Sequence, residues 1–143
     1  MRRILGIVLA LGLIVAACGG DDDLSVRDAW ARDSPGTAEA GAAYMVIEAG
    51  GEDDRLLSVS VPADVAAMAQ VHEVVMNEGA MSMQAVENGL AIPSGETVTL
   101  EPGSYHVMMM NLAQPLEVGD EFTMTLTFEQ AGTVDVDVEV REE

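Results

Sequence analysis

The chain has 143 residues, 25 aspartates and glutamates, six arginines and no lysine, which gives a formal net charge of −19. This length allows one compact domain and not comfortably two. A charge of this sign argues against nucleic acid and anionic lipid head groups as partners, because both would be repelled. Its simplest role is to keep the domain soluble, and any attraction of metal cations would be unspecific.

The first 17 residues have the pattern of a removable leader. Two arginines precede an apolar run over 4–14 that is too short to span a bilayer comfortably. Val15-Ala16-Ala17-Cys18 resembles the lipobox of bacterial lipoproteins, in which the cysteine is lipidated and becomes the mature N-terminus. We therefore predict an exported protein that is lipid-anchored through Cys18 at the cell membrane, facing the periplasm or the extracellular side, with a flexible tether over 18–23. The alternative is an ordinary secretory signal peptide with an incidental cysteine.

Loss of the leader changes both the charge and the redox chemistry of the mature chain. Four arginines then face 25 acidic residues, a net charge of −21. With Cys18 acylated, the folded domain has no thiol, and hence no disulfide and no cysteine nucleophile. Methionine thioethers keep their lone pairs under extracytoplasmic conditions that would already oxidise pairs of cysteines.

From residue 24 onward the pattern is typical of β-strands. The clearest alternation lies near the end, where Phe122, Met124, Leu126 and Phe128, and then Val134, Val136, Val138 and Val140, alternate with polar residues. Further strands are predicted over 24–32, 42–49, 55–61 and 97–101 and around His72, Met81 and His106, with a short helical turn near 63–67. Seven to nine strands separated by turns predict one all-β antiparallel sandwich over 24–143.

Both histidines and six of the ten methionines lie between His72 and Met110. Neutral imidazoles and thioethers are ligands for a soft metal, and Cu(I) is the natural candidate where no cysteine is offered. In an extended strand, His106, Met108 and Met110 point one way, and Tyr105, Val107 and Met109 point the other. The second set is the better core face. His106 and Met108 are therefore predicted on the outer or rim face, within reach of one ion.

The preceding segment supplies two more candidate ligands. Asn77-Glu78-Gly79 predicts a hairpin turn that brings the strand of His72 beside the strand of Met83. If this hairpin packs beside the His106 strand, two imidazoles and two thioethers meet, which suffices for four-coordinate Cu(I). The competing interpretation is that methionines are flexible core filler and the histidines are incidental. We adopt it for Met45, Met68 and Met124, and composition alone leaves both interpretations open for the cluster.

The spacing resembles the signature of the PCuAC family of bacterial periplasmic copper chaperones, which is His, ten residues, Met, about 21 residues, and His-x-Met. Ten residues separate His72 from Met83, and His106-Val107-Met108 follows after 22, one more than the pattern. The extra residue falls across turn-rich sequence, where an insertion costs little. The resemblance covers residues 24–141 and includes Asp28-Ala29-Trp30-Ala31-Arg32, Gly41-Ala42-Ala43-Tyr44, Asp54-Arg55-Leu56-Leu57, Gly95-Glu96-Thr97-Val98, Leu100-Glu101-Pro102-Gly103, Pro115-Leu116-x-x-Gly119-Asp120 and Phe128-Glu129-x-Ala131-Gly132.

This resemblance implies a cupredoxin-like Greek-key sandwich with copper(I) bound near its surface. The ligands carried over are His72, Met83, His106 and Met108. Spare thioethers with a secondary or transfer role are Met76, Met81 and Met110. The implied recipient is the binuclear copper centre of a membrane-bound cytochrome c oxidase, with other copper chaperones as further partners. We expect a monomer.

Other functions remain as alternatives. A copper-sequestering tolerance lipoprotein would use the same ligands, and a non-metal surface lipoprotein module would retain no copper. A blue-copper electron carrier needs a cysteine thiolate, which the domain lacks. An enzyme is not expected, because neither a nucleophile–base pair nor a phosphate-binding loop is evident in the sequence.

Overall fold

The structure, a computed structural model, describes residues 23–34, 36–37 and 39–142. Its strands are Ser25–Arg32 (β1), Ala40–Glu48 (β2), Asp54–Ser60 (β3), Ala66–Asn77 (β4), Ala80–Ala85 (β5), Leu90–Ile92 (β6), Thr97–Leu100 (β7), His106–Leu112 (β8), Glu121–Phe128 (β9) and Gly132–Arg141 (β10). The predicted leader and Cys18 lie outside the described residues, as does the tether except for Asp23. The part that is described contains no helix long and apolar enough to cross a membrane.

The strands form one continuous hydrogen-bonded sheet that curls on itself. Their order is β5-β4-β8-β2-β1-β10-β9-β3-β6, with β7 also paired to β2. A further pairing, Val59 of β3 with Ala69 of β4, closes the sheet into a ring. The pairings are antiparallel except that β1 and β10 run parallel. The predicted all-β sandwich is therefore confirmed.

The core lies between the two layers of this curled sheet and is aliphatic and thioether-rich. On β9 and β10 the predicted alternation holds, since Leu126 and Val140 are fully buried while Asp135 and Asp137 are exposed. The predicted core methionines Met45 and Met124 are buried. One face of each strand thus drives folding, which leaves the opposite face free for other chemistry.

The short helical turn predicted near 63–67 is present but ends at residue 65, earlier than predicted. Residues 63–65 form a turn in which the N–H groups of Val65 and Ala66 donate to the carbonyl of Pro62. Ala66 already belongs to β4, where it pairs with Leu112 of β8. Sheet pairing therefore outweighs the local helical preference of this alanine-rich segment.

Asp54, at the start of β3, is a buried carboxylate that holds two segments together. It accepts hydrogen bonds from the backbone N–H groups of Arg55 (2.7 Å), Gln130 (2.9 Å) and Ala131 (2.9 Å). Burial raises the pKa of the Asp54 carboxyl, but the backbone donors, Gln130 foremost, outweigh it and bring the pKa below its ordinary value. The ionised carboxylate thus fixes β3 to the turn between β9 and β10.

We expect Asp54→Asn to lower the free energy of unfolding by about 1–3 kcal/mol at neutral pH. The asparagine amide has one uncharged acceptor oxygen, whereas the carboxylate has two oxygens that share a negative charge. A pKa depressed by folding stabilises the folded state above the unfolded pKa, near 4, and this contribution is lost as pH falls through the folded pKa. Urea unfolding at neutral and acid pH should therefore show the difference between the two proteins shrinking on acidification. The exposed Asp64→Asn is the control, and a difference that does not change with pH would contradict this assignment.

Candidate metal centre

The four candidate ligands come from three adjacent strands and share one sheet face. His72 lies on β4, directly opposite His106 of β8. Met83 lies on β5, opposite Val74, which is two residues from His72 on β4. Met108 is two residues beyond His106. Directly opposite residues, and residues two apart on one strand, point to the same face of a sheet, so all four side chains emerge together.

The two imidazoles are close enough to share an ion. Their ring centroids are 5.9 Å apart and the ring planes are inclined by 48°. At this separation the nearest ring nitrogens can come within the roughly 4 Å that two metal–nitrogen bonds of about 2 Å would span. The pair therefore provides two nitrogen donors from the centre of the sheet.

His106 is the most constrained of the four. Its Nδ1 lies 3.0 Å from the carbonyl oxygen of Ser104, to which it donates a hydrogen bond in the neutral tautomer. This leaves the lone pair on Nε2, which is buried and has no hydrogen-bond partner among the described residues. A buried polar atom without a partner costs about 1–3 kcal/mol. A metal ion bound at Nε2 would remove that penalty, so this residue fits the role of a ligand.

His106 was predicted to lie exposed on the outer or rim face, and this prediction is wrong because the side chain is buried. The residue does share a face with Met108 and not with Val107, but its side chain is only 4% exposed. Curvature of the sheet places this face in a cleft of about 500 Å³, lined also by the β4–β5 hairpin and by Pro102 and Gly103. Strand parity predicts which face a side chain occupies, and it does not predict what covers that face.

The His72 imidazole is held in its neutral form. Burial, and then repulsion from His106, lower the pKa of the His72 imidazole. The ring is therefore neutral at neutral pH and offers a lone pair. Its Nε2 lies 3.4 Å from Oε1 of Gln70, a long contact that orients the ring only weakly.

The thioethers supply the open side of the centre. Met83 is 59% exposed on the edge strand β5, and Met108 is half-buried on β8. Both line the same cleft as His106, whereas His72 stands beside it. The described residues contain no cluster of three or more His, Cys, Asp or Glu side chains. What the face offers is two imidazoles and two thioethers, a donor set that suits a soft ion.

Spare thioethers extend along this face on both sides of the four residues. Met76 pairs directly with Met81 near the hairpin turn, and Met110 of β8 pairs with Met68 of β4. The assignment of Met68 to the core is therefore wrong, since it is 45% exposed. Its even spacing from His72 could have shown this, because residues four apart on a strand share a face.

The chain is similar to known proteins over nearly all of the described domain. The model of the LpqE-like family, described as "Putative lipoprotein LpqE-like", matches residues 24–140. "Putative lipoprotein Lxx21020" of Leifsonia xyli subsp. xyli (strain CTCB07) is 34% identical over 121 residues, covering 85% of this chain and 71% of that protein.

Solved structures of PCuAC domains share the fold. The apo PCuAC domain from PmoF1 is 27% identical with a TM-score of 0.69, covering 85% of this chain and 95% of that one. The copper-bound PCuAC domain from PmoF2 is 26% identical with a TM-score of 0.69, covering 87% of this chain and 97% of that one. The solution structure of CuI-DR1885 from Deinococcus radiodurans is 26% identical with a TM-score of 0.60, covering 80% of this chain and 76% of that one. The cupredoxin-like sandwich and the PCuAC resemblance are confirmed, and the chain belongs to the LpqE-like family of lipoproteins.

Proposed function

We propose that this protein is an extracytoplasmic copper(I) chaperone that holds one Cu(I) between His72, Met83, His106 and Met108. The observation that carries the proposal is the buried Nε2 of His106, which has no partner in the described structure and belongs to a ring 5.9 Å from that of His72. The copper-bound state of the PmoF2 domain and of DR1885 supports copper as the cargo.

In this proposal the two histidines hold the copper ion, and Met83 is the ligand that leaves first. His72 and His106 lie on the paired strands β4 and β8, whose backbone ladder fixes the two rings. Met83 lies on the exposed edge strand, where a thioether can leave the ion with little rearrangement of the fold. A ligand from a recipient enters through the cleft and binds before Met83 leaves, so copper passes on without being released into water.

The anchor would place this exchange at a membrane surface. Acylated Cys18 and a tether over 18–23 precede the folded domain, and six extended residues reach about 20 Å. The domain therefore stays close to the membrane on its extracytoplasmic side, which raises its effective concentration toward membrane-bound recipients. The recipient we propose is the binuclear copper centre of cytochrome c oxidase.

Replacement of either thioether ligand should weaken Cu(I) binding. We expect Met83→Leu and Met108→Leu each to lower the affinity at least about tenfold, a loss of about 1.4 kcal/mol, because leucine keeps the volume and removes the donor. The measurement is anaerobic competition with a chromogenic Cu(I) chelator. Met68→Leu, on the same face but outside the set, is the control and should bind as the parent does. Unchanged affinity in both ligand variants would refute the proposed site.

Delivery can be separated from sequestration, which would use the same ligands. Residues 24–143 loaded with Cu(I) are mixed with the apo copper-site domain of an oxidase subunit. A chaperone should transfer copper at a rate that rises with acceptor concentration, because transfer proceeds through a complex of the two proteins. A sequestering protein would transfer at a rate independent of the acceptor, set by its own release of copper. A non-metal module would retain no stoichiometric Cu(I) at all.

A further inference from the structure

Two exposed thioethers face each other at the end of the β4–β5 hairpin. Met76 and Met81 are direct register partners, one pair before the Asn77–Ala80 pair that closes the turn. Their side chains are 65% and 67% exposed. The Cβ atoms of directly opposite residues lie about 4.5–5.5 Å apart, so two flexible methionine side chains can bring both sulfurs onto one ion.

The hairpin that carries this pair projects from the sandwich. The β4–β8 pairing ends at His72 and His106, and beyond it the described part of β4 pairs only with β5. The tip is shaped by Glu78 and Gly79, both with positive φ, as a two-residue hairpin turn requires. A two-stranded ribbon without a third strand is held by fewer contacts than the paired strands that carry the histidines. The tip is therefore the less supported of the two sites.

The two faces of this hairpin differ in chemistry. On one face polar side chains pair with each other, Asn77 donating to Ser82 (3.1 Å) and Gln84 to Glu73 (3.0 Å). The other face carries the thioethers of Met76, Met81 and Met83. None of these three is buried, so none contributes to the core, and core filling does not account for them.

The tip pair is continuous with the four-residue centre. Met81 lies two residues from Met83, about 7 Å along the strand, and both line the cleft that contains His106. Exposure falls along this path from 67% at Met81 to 59% at Met83 and 4% at His106. A second cross-strand pair, Met68 with Met110, lies beyond the opposite end of the centre. It differs from the tip pair because Met110 is half-buried and Met68 does not line the cleft.

We propose that Met76 and Met81 form a second, weaker Cu(I) site through which copper enters and leaves the four-residue centre, an inference that rests on the proposed function of that centre. Two thioethers without an imidazole bind a soft ion but provide only two donors. Occupancy is therefore brief, and the ion passes by way of Met83 to the histidines. Because the tip is exposed, it presents the ion to a recipient before the buried ligands are disturbed.

Methionine methyl NMR distinguishes this site from the main one. With ¹³C-methyl-labelled protein kept anaerobic, the first equivalent of Cu(I) should shift the methyl signals of Met83 and Met108. The second equivalent should shift those of Met76 and Met81. If the first equivalent leaves Met83 and Met108 unmoved, the four-residue centre fails. If they move and the second equivalent leaves the tip signals unmoved, only the tip site is overturned.

A kinetic comparison tests the role in transfer. In Met76→Leu/Met81→Leu the affinity for the first Cu(I) should be unchanged, while its removal by a chromogenic chelator should slow about tenfold, since leucine keeps the volume and offers no donor. Met68→Leu, an exposed methionine on the same face, is the matched control and should release copper at the parent rate. An unchanged rate in the double variant would overturn the proposal, as would equal slowing in Met68→Leu.

Discussion

The candidate centre depends on the register between β4 and β8. Because side chains alternate, a shift of one residue would move His72 to the opposite face from His106. The same register places Val71 opposite Val107 and Ala69 opposite Met109, on the face that packs into the core. Val107 and Met109 are fully buried, so their burial fixes the register. The hydrophobic core thereby enforces the alignment of two imidazoles that contribute nothing to it.

The sequence predicts most of this arrangement because two signals are local. Alternation identifies β9 and β10, where Leu126 and Val140 are buried as expected, and Glu78-Gly79 has the turn chemistry that pairs His72's strand with that of Met83. The burial of His106 could not be predicted in this way. It depends on sheet curvature and on residues distant in the chain, whereas parity carries information about one strand alone.

The first strand shows a further limit of local patterns. Regular alternation places Val26, Asp28 and Trp30 on one face, but the β1–β2 register shifts between Arg27 and Trp30, and Asp28 has a φ of 54°. This bulge inserts an extra residue and changes the direction in which the later side chains of the strand point. Trp30 consequently packs against Tyr44, with ring centroids 4.7 Å apart, beside the cleft that contains His106. Asp28 is of a residue type that adopts positive φ more readily than most, but this preference alone does not predict an interruption of the strand.

The exposed edge of the sheet belongs to a strongly acidic chain. β5 lies at one end of the strand order, every one of its residues is exposed, and Ala80-Met81-Ser82-Met83-Gln84-Ala85 carries no charge. An uncharged, partly apolar edge strand invites pairing with a second copy, and lysine or proline on the edge is the usual protection. Either residue would introduce a charge or a kink beside the thioethers. A net charge of −19 over the chain instead repels other copies, which opposes pairing at this edge.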